Sequence, residues 1–150
     1  MADSSGLIGD VVESLVETVT DWPHVRQEAH RYGGTAFLVD SREIGHVHDS
    51  GMLDISYLKA LRDRLVEAGE TGVHHLLTDS GWTTYYIESS DDFEHALWLV
   101  RLSYLYHVRV LQQRDGGRFD DVDVAAELDA LDVSEAVQAA FERREEGTAA

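Results

Sequence analysis

The chain contains no cysteine, a single lysine (Lys59), a single proline (Pro23) and no long apolar run. Without cysteine there is no disulfide framework, no thiol nucleophile and no thiolate metal ligand. No segment approaches the roughly 20 apolar residues that a membrane span requires. The opening residues Met1-Ala2-Asp3-Ser4-Ser5 lack a basic leader region, so a cytoplasmic protein is expected. Basic residues are scarce as well: 12 against 29 acidic ones give a formal charge of −17. Such a surface repels phosphate backbones and anionic headgroups, which argues against nucleic acid and membrane as partners and leaves a small molecule. It suits a halophile, because concentrated salt screens the self-repulsion that would otherwise oppose the compact state.

What is present suits a single core: 150 residues, 43% of them hydrophobic. Leu7, Ile8, Val11, Val12, Leu15, Val16 and Val19 recur at helical spacing, so residues 1–20 read as an N-terminal helix ending before Trp22-Pro23. Val25 to Tyr32 reads as a further helical turn or two, after which Gly33-Gly34 releases the chain into a strand, Thr35–Val39. Asp40-Ser41 and Asp49-Ser50-Gly51 turn it into strands at Glu43–His48 and Met52–Ile55. Ser56 is placed to cap a helix carrying Leu58, Leu61, Leu65 and Val66, which Gly69 closes. Val73–Leu77 with Gly81–Ile87 makes a fourth, interrupted strand. Ser89-Ser90-Asp91-Asp92 caps a long helix over 91–113, with Phe93, Leu97, Val100 and Tyr104 on one stripe. The expected fold is α+β: an antiparallel sheet of about four strands with helices mainly on one face. Residues 21–113 form its body, and 114–150 add short helices near 123–131 and 134–145 and a fraying tail, all in one globular unit.

Chemistry concentrates in Arg42-Glu43-Ile44-Gly45-His46-Val47-His48. Strand alternation puts Ile44, His46 and His48 on one face and Glu43, Gly45 and Val47 on the other. His74-His75 follow downstream, then Gly81-Trp82. Three imidazoles with Glu43 or Asp54 have the donor chemistry for zinc, iron, copper or nickel. A cupin site would need a glutamate about four residues after the H-x-H, where Met52 and Leu53 stand, and there is no H-E-x-x-H helix. Acid/base chemistry is the alternative, since imidazole titrates nearest neutrality.

The order Asp21-Trp22-Pro23, Gly33-Gly34-Thr35-Ala36-Phe37, REIGHVHD, Asp54, His75, Gly81-Trp82 and Leu102-Ser103-Tyr104 resembles the luciferase-domain family, from Asp21 to His107. The family includes the fungal luciferases and many prokaryotic proteins. The resemblance implies binding of a small apolar or aromatic molecule and oxygenation by molecular oxygen without a bound metal or flavin. By motif position it carries over His46, His48, Asp54, His75 and Trp82, though not their individual roles; the candidate catalytic residues are His46, His48, His75 and Asp54, and Trp82, Arg42 and Glu43 are candidates for holding the substrate. The ligand would lie on the sheet face opposite the long helix or in the seam beside it, and if the family chemistry holds, that helix roofs the cavity. The competing reading is a non-catalytic binding domain whose histidines are structural. On that reading Arg42 is a surface charge, Trp82 and Tyr85 pack under the long helix, and Ser103 is a small neighbour of a packed Tyr104. His24, His30, His95 and His107 are scattered in sequence and read as surface residues.

Overall fold

The computed structural model describes residues 4–30 and 33–143. Helix α1 (Ser4–Thr20) leads into strand β1 (Val25–Ala29), and three antiparallel strands follow, β2 (Thr35–Val39), β3 (Arg42–Val47) and β4 (Met52–Ser56). Helix α2 (Lys59–Glu67), a two-residue strand β5 (Gly72–Val73) and β6 (Trp82–Tyr86) come next, then helices α3 (Phe93–Arg114), α4 (Val124–Ala130) and α5 (Glu135–Glu142). The sheet has six strands in the order β1-β2-β3-β4-β6-β5, every pairing antiparallel. The α+β architecture stands, with more strands than the four expected. Val25–Ala29 is a strand, not a helical turn, and pairs along its whole length with β2. Of the segment 73–77 only Val73 is in a strand; 74–81 is a loop. The tail beyond 143 lies outside the described residues.

One face of the sheet carries the core. Phe37, Val39, Leu53 and Ile55 are fully buried there, with Leu15 and Val19 of α1 and Leu99, Val100 and Leu102 of α3. Helix α3 crosses β2, β3 and β4 and also packs against α1 and α4, while α5 packs against α2. Ser103 fastens α3 to the sheet: its hydroxyl lies 2.8 Å from the Ile44 carbonyl oxygen and 2.7 Å from that of Ser56. Both carbonyls belong to strands, which is why a small polar residue interrupts an otherwise apolar stripe. The Tyr57 hydroxyl donates to the Leu99 carbonyl, and that of Tyr104 to the Pro23 carbonyl.

Local sequence explains the ends. Ser89 and Asp92 form a reciprocal capping box on a short 3-10 turn, Ser90–Asp92, that opens α3. The C-terminus of α2 closes in a Schellman arrangement: Glu70 N–H donates to Leu65 O, Gly69 N–H to Val66 O, and Gly69 takes a left-handed φ of +75°. Ser56 does not cap α2; the residue before that helix is Leu58, without a side-chain cap, and Ser56 ends β4.

The register of β2 on β3 shifts at one point. Phe37 faces Gly45 and Leu38 faces Glu43, leaving Ile44 as the extra residue of a β-bulge. Ile44 turns into the core and is fully buried. Glu43 and His46, which strict alternation separates, therefore emerge on the same face, and it is the face away from the core. The grouping of Ile44 with His46 and His48 is corrected accordingly. Arg42 goes with the core side, opposite Val39.

Candidate functional site

The face of the sheet away from α3 carries a row of polar side chains set by register: His46 opposite Asp54, and Asp54 opposite Thr84. Trp82 shares this face, two residues before Thr84. Asp54 is the centre. Its side chain is 1% exposed, and one oxygen, Oδ2, lies 2.9 Å from His46 Nε2, 3.6 Å from His74 Nε2 and 3.9 Å from His48 Nε2. The other oxygen accepts from the Thr84 hydroxyl at 2.6 Å and stands 3.7 Å from His75 Nδ1. On its other side, His46 Nδ1 meets Glu43 Oε2 at 2.6 Å, a contact that exists only because the bulge brings Glu43 round.

These bonds assign the protons. Both His46 nitrogens face carboxylates, which can only accept, so the ring is held as an imidazolium. Burial works against that charge, but the hydrogen bonds to Asp54 and Glu43 overcome it and raise its pKa to about 9. Asp54 is likewise penalised by burial, and the hydrogen bonds from His46 and Thr84 outweigh the penalty and hold its pKa down. His48 is shifted down by burial and by the neighbouring His46 charge. His74 is shifted down chiefly by burial, and its Nδ1 accepts two successive amides, Leu76 N–H at 3.1 Å and Leu77 N–H at 2.9 Å. The His74 proton therefore sits on Nε2. His75 is the reverse case: Thr84 gives its hydroxyl proton to Asp54, so His75 Nδ1, 3.2 Å from that hydroxyl oxygen, must be the donor, and its Nε2 is left as a lone pair.

Aromatic contacts close the group. The Trp82 ring lies 5.5 Å from His46 and 6.1 Å from His74. His30, which sequence reasoning left on the surface, stacks on His46 at 3.9 Å and meets His48 edge-on at 5.5 Å. Nothing local marks His30. Only the register, Glu28 with Ala36 and Ala36 with His46, carries the end of β1 to this place. Gly34 makes the neighbouring turn tight enough, for with φ +88° a Cβ there would meet Val47 O at 2.2 Å. Among the described residues, two groups could hold a metal by ligand type: His30, His46 and His48, and Asp54, His74 and His75.

His46, His48, His75, Asp54, Trp82 and Glu43 thus come together, joined by His30 and His74. Arg42 does not join them. It donates from Nε to His107 Nδ1 at 2.9 Å on the core side, and His107 Nε2 donates to Ser56 O at 3.1 Å. His107 is buried on α3, not at the surface. Burial, helped by the Arg42 charge, pushes its pKa down to about 3. Nor does α3 roof the cluster, because it packs on the opposite face; the loop 74–81 borders it.

Residues 41–103 match the family model of the luciferase domain. That span is similar to the luciferase domain. Every residue of the cluster except His30 lies inside the matched span. The matched span takes in β3 to β6, α2 and the first half of α3, so the family match and the polar face coincide. No curated protein and no solved structure matches the chain significantly. Among the described residues no helix is long and apolar enough to cross a membrane.

Proposed function

We propose that the polar face of the luciferase domain binds a small apolar or aromatic molecule bearing a weakly acidic O–H, and that His75 takes this proton as general base. The observation that carries the reading is the chain from His75 through Thr84 to Asp54. It fixes the His75 proton on Nδ1 and leaves Nε2 free to accept, on a side chain 34% exposed, against 12% for His46, 17% for His48 and 7% for His74. Asp54 stabilises the imidazolium that forms, the role a buried carboxylate plays behind a basic histidine. Trp82 supplies an apolar wall against which an aromatic ring can lie. An electron-rich phenol or enol that has lost its proton reacts more readily with molecular oxygen. Luciferase-like oxygenation is therefore the specific version: the anion gives up electrons to dioxygen while His75 holds the proton.

4-Nitrophenol tests the base, because its phenolate is coloured and its phenol is not. Titrated with the full chain slightly below its own pKa, it should bind and gain phenolate absorbance. His75→Ala should bind it without that gain. Failure of the wild type to bind, or an equal gain in His75→Ala, would overturn the reading.

A further inference from the structure

We propose that His30, His46 and His48 form a binding site for one divalent transition-metal ion. The site is independent of the role given to His75 and departs from the metal-free expectation that the family resemblance carries. The ring nitrogens of the three residues lie within 4.8 Å of one another. Ligands that share a metal with bonds of about 2.0–2.1 Å stand about 3.4 Å apart in a tetrahedral sphere, so the rings, of which those of His30 and His46 are stacked, must rotate and close in to complete it. The three come from separate segments, the end of β1, the body of β3 and the turn after it, and are brought together by sheet register, not by one loop.

The surroundings favour a cation over an anion. His46 is bracketed by Glu43 and Asp54, and the chain as a whole carries −17. Glu43 accepts from Nδ1 and so aims Nε2 as the donor atom, the arrangement in which an outer carboxylate orients a ligating histidine. The ion takes the place of the proton that His46 Nε2 shares with Asp54, and that proton leaves to solvent. Asp54 stays beside the ion, able to accept a hydrogen bond from a metal-bound water. An all-imidazole set without thiolate suits zinc, copper, nickel or ferrous iron. The second group fits less well: His74 has its proton on Nε2 and its Nδ1 engaged by two backbone amides, while His75 Nδ1 is held by Thr84.

Cobalt(II) is the probe, since its visible spectrum reports nitrogen ligation directly. Added to the untagged full chain, Co2+ should bind at one equivalent with a visible absorption band. His30→Ala and His48→Ala, checked for folding by circular dichroism, should lose that band, and His75→Ala should keep it. Glu43→Gln should weaken binding by about 10- to 100-fold, the usual cost of losing an orienting partner. No Co2+ uptake by the wild type, uptake undiminished in His30→Ala and His48→Ala, or a band lost in His75→Ala would each overturn the proposal. The nitrophenol titration contains no metal, so failure of one reading leaves the other standing.

Discussion

Two residues remote from the cluster decide more about folding than about chemistry. Ser103 serves two strand carbonyls with one hydroxyl, the buried one of Ile44 and the part-buried one of Ser56. Ser103→Ala should cost about 1–3 kcal/mol in urea unfolding, because the buried Ile44 carbonyl loses this donor, while Ser56 O keeps His107 Nε2. A change within error would show that other groups compensate. His107 carries a pH dependence whose sign follows from its depressed value. Above 6.5 the ring is neutral whether folded or unfolded; between 6.5 and about 3 the unfolded chain takes up a proton that the buried ring refuses. Stability should therefore fall as pH drops through this window, by up to about 1.4 kcal/mol per pH unit for this one group. His107→Gln, which can keep a donor towards Ser56, should flatten that slope; an unchanged slope would assign the acid sensitivity elsewhere.

At the scale of elements, the loop after β5 is the part whose behaviour can be set by one side chain. His74 accepts both the Leu76 and Leu77 amides, and Leu76 and Leu77 themselves are exposed. His74→Ala should raise hydrogen exchange at those two amides by orders of magnitude while leaving the α3 amides protected. Protection retained at 76 and 77 would mean that the loop is held by its other bonds, such as Arg62 to Thr78 O at 2.5 Å. The same elements show what sequence can and cannot tell. The long helix with its capping box, the turn after Val39 and the glycine closing α2 each follow from local chemistry and were legible. β1 was not, since Arg26, Gln27, Glu28 and Ala29 favour a helix in isolation and only pairing with β2 makes them a strand. The bulge was invisible for a different reason: Ile44 suits either an alternating or a bulged strand. The pairing of His46 with Asp54 and of Asp54 with Thr84, and the arrival of His30, are products of register, and a single chain does not display register until it is folded.

For the whole molecule, the excess of 29 acidic over 12 basic residues predicts that the melting temperature rises from low to multimolar KCl as repulsion is screened. A flat or falling curve would remove the expectation of a high-salt habitat. The scarcity of lysine has its own experimental consequence. Lys59 opens α2 and pairs with Asp79 at 2.6 Å, between Tyr57 and Leu61, both buried. A lysine-specific protease has this one peptide bond to attack, and it can seat the bond only after Tyr57 and Leu61 have left the core. Digestion by such an enzyme should then yield two fragments and nothing else, at a rate that reports how often the core opens. Each cleaved chain becomes a count of one opening event, and salt should slow the count.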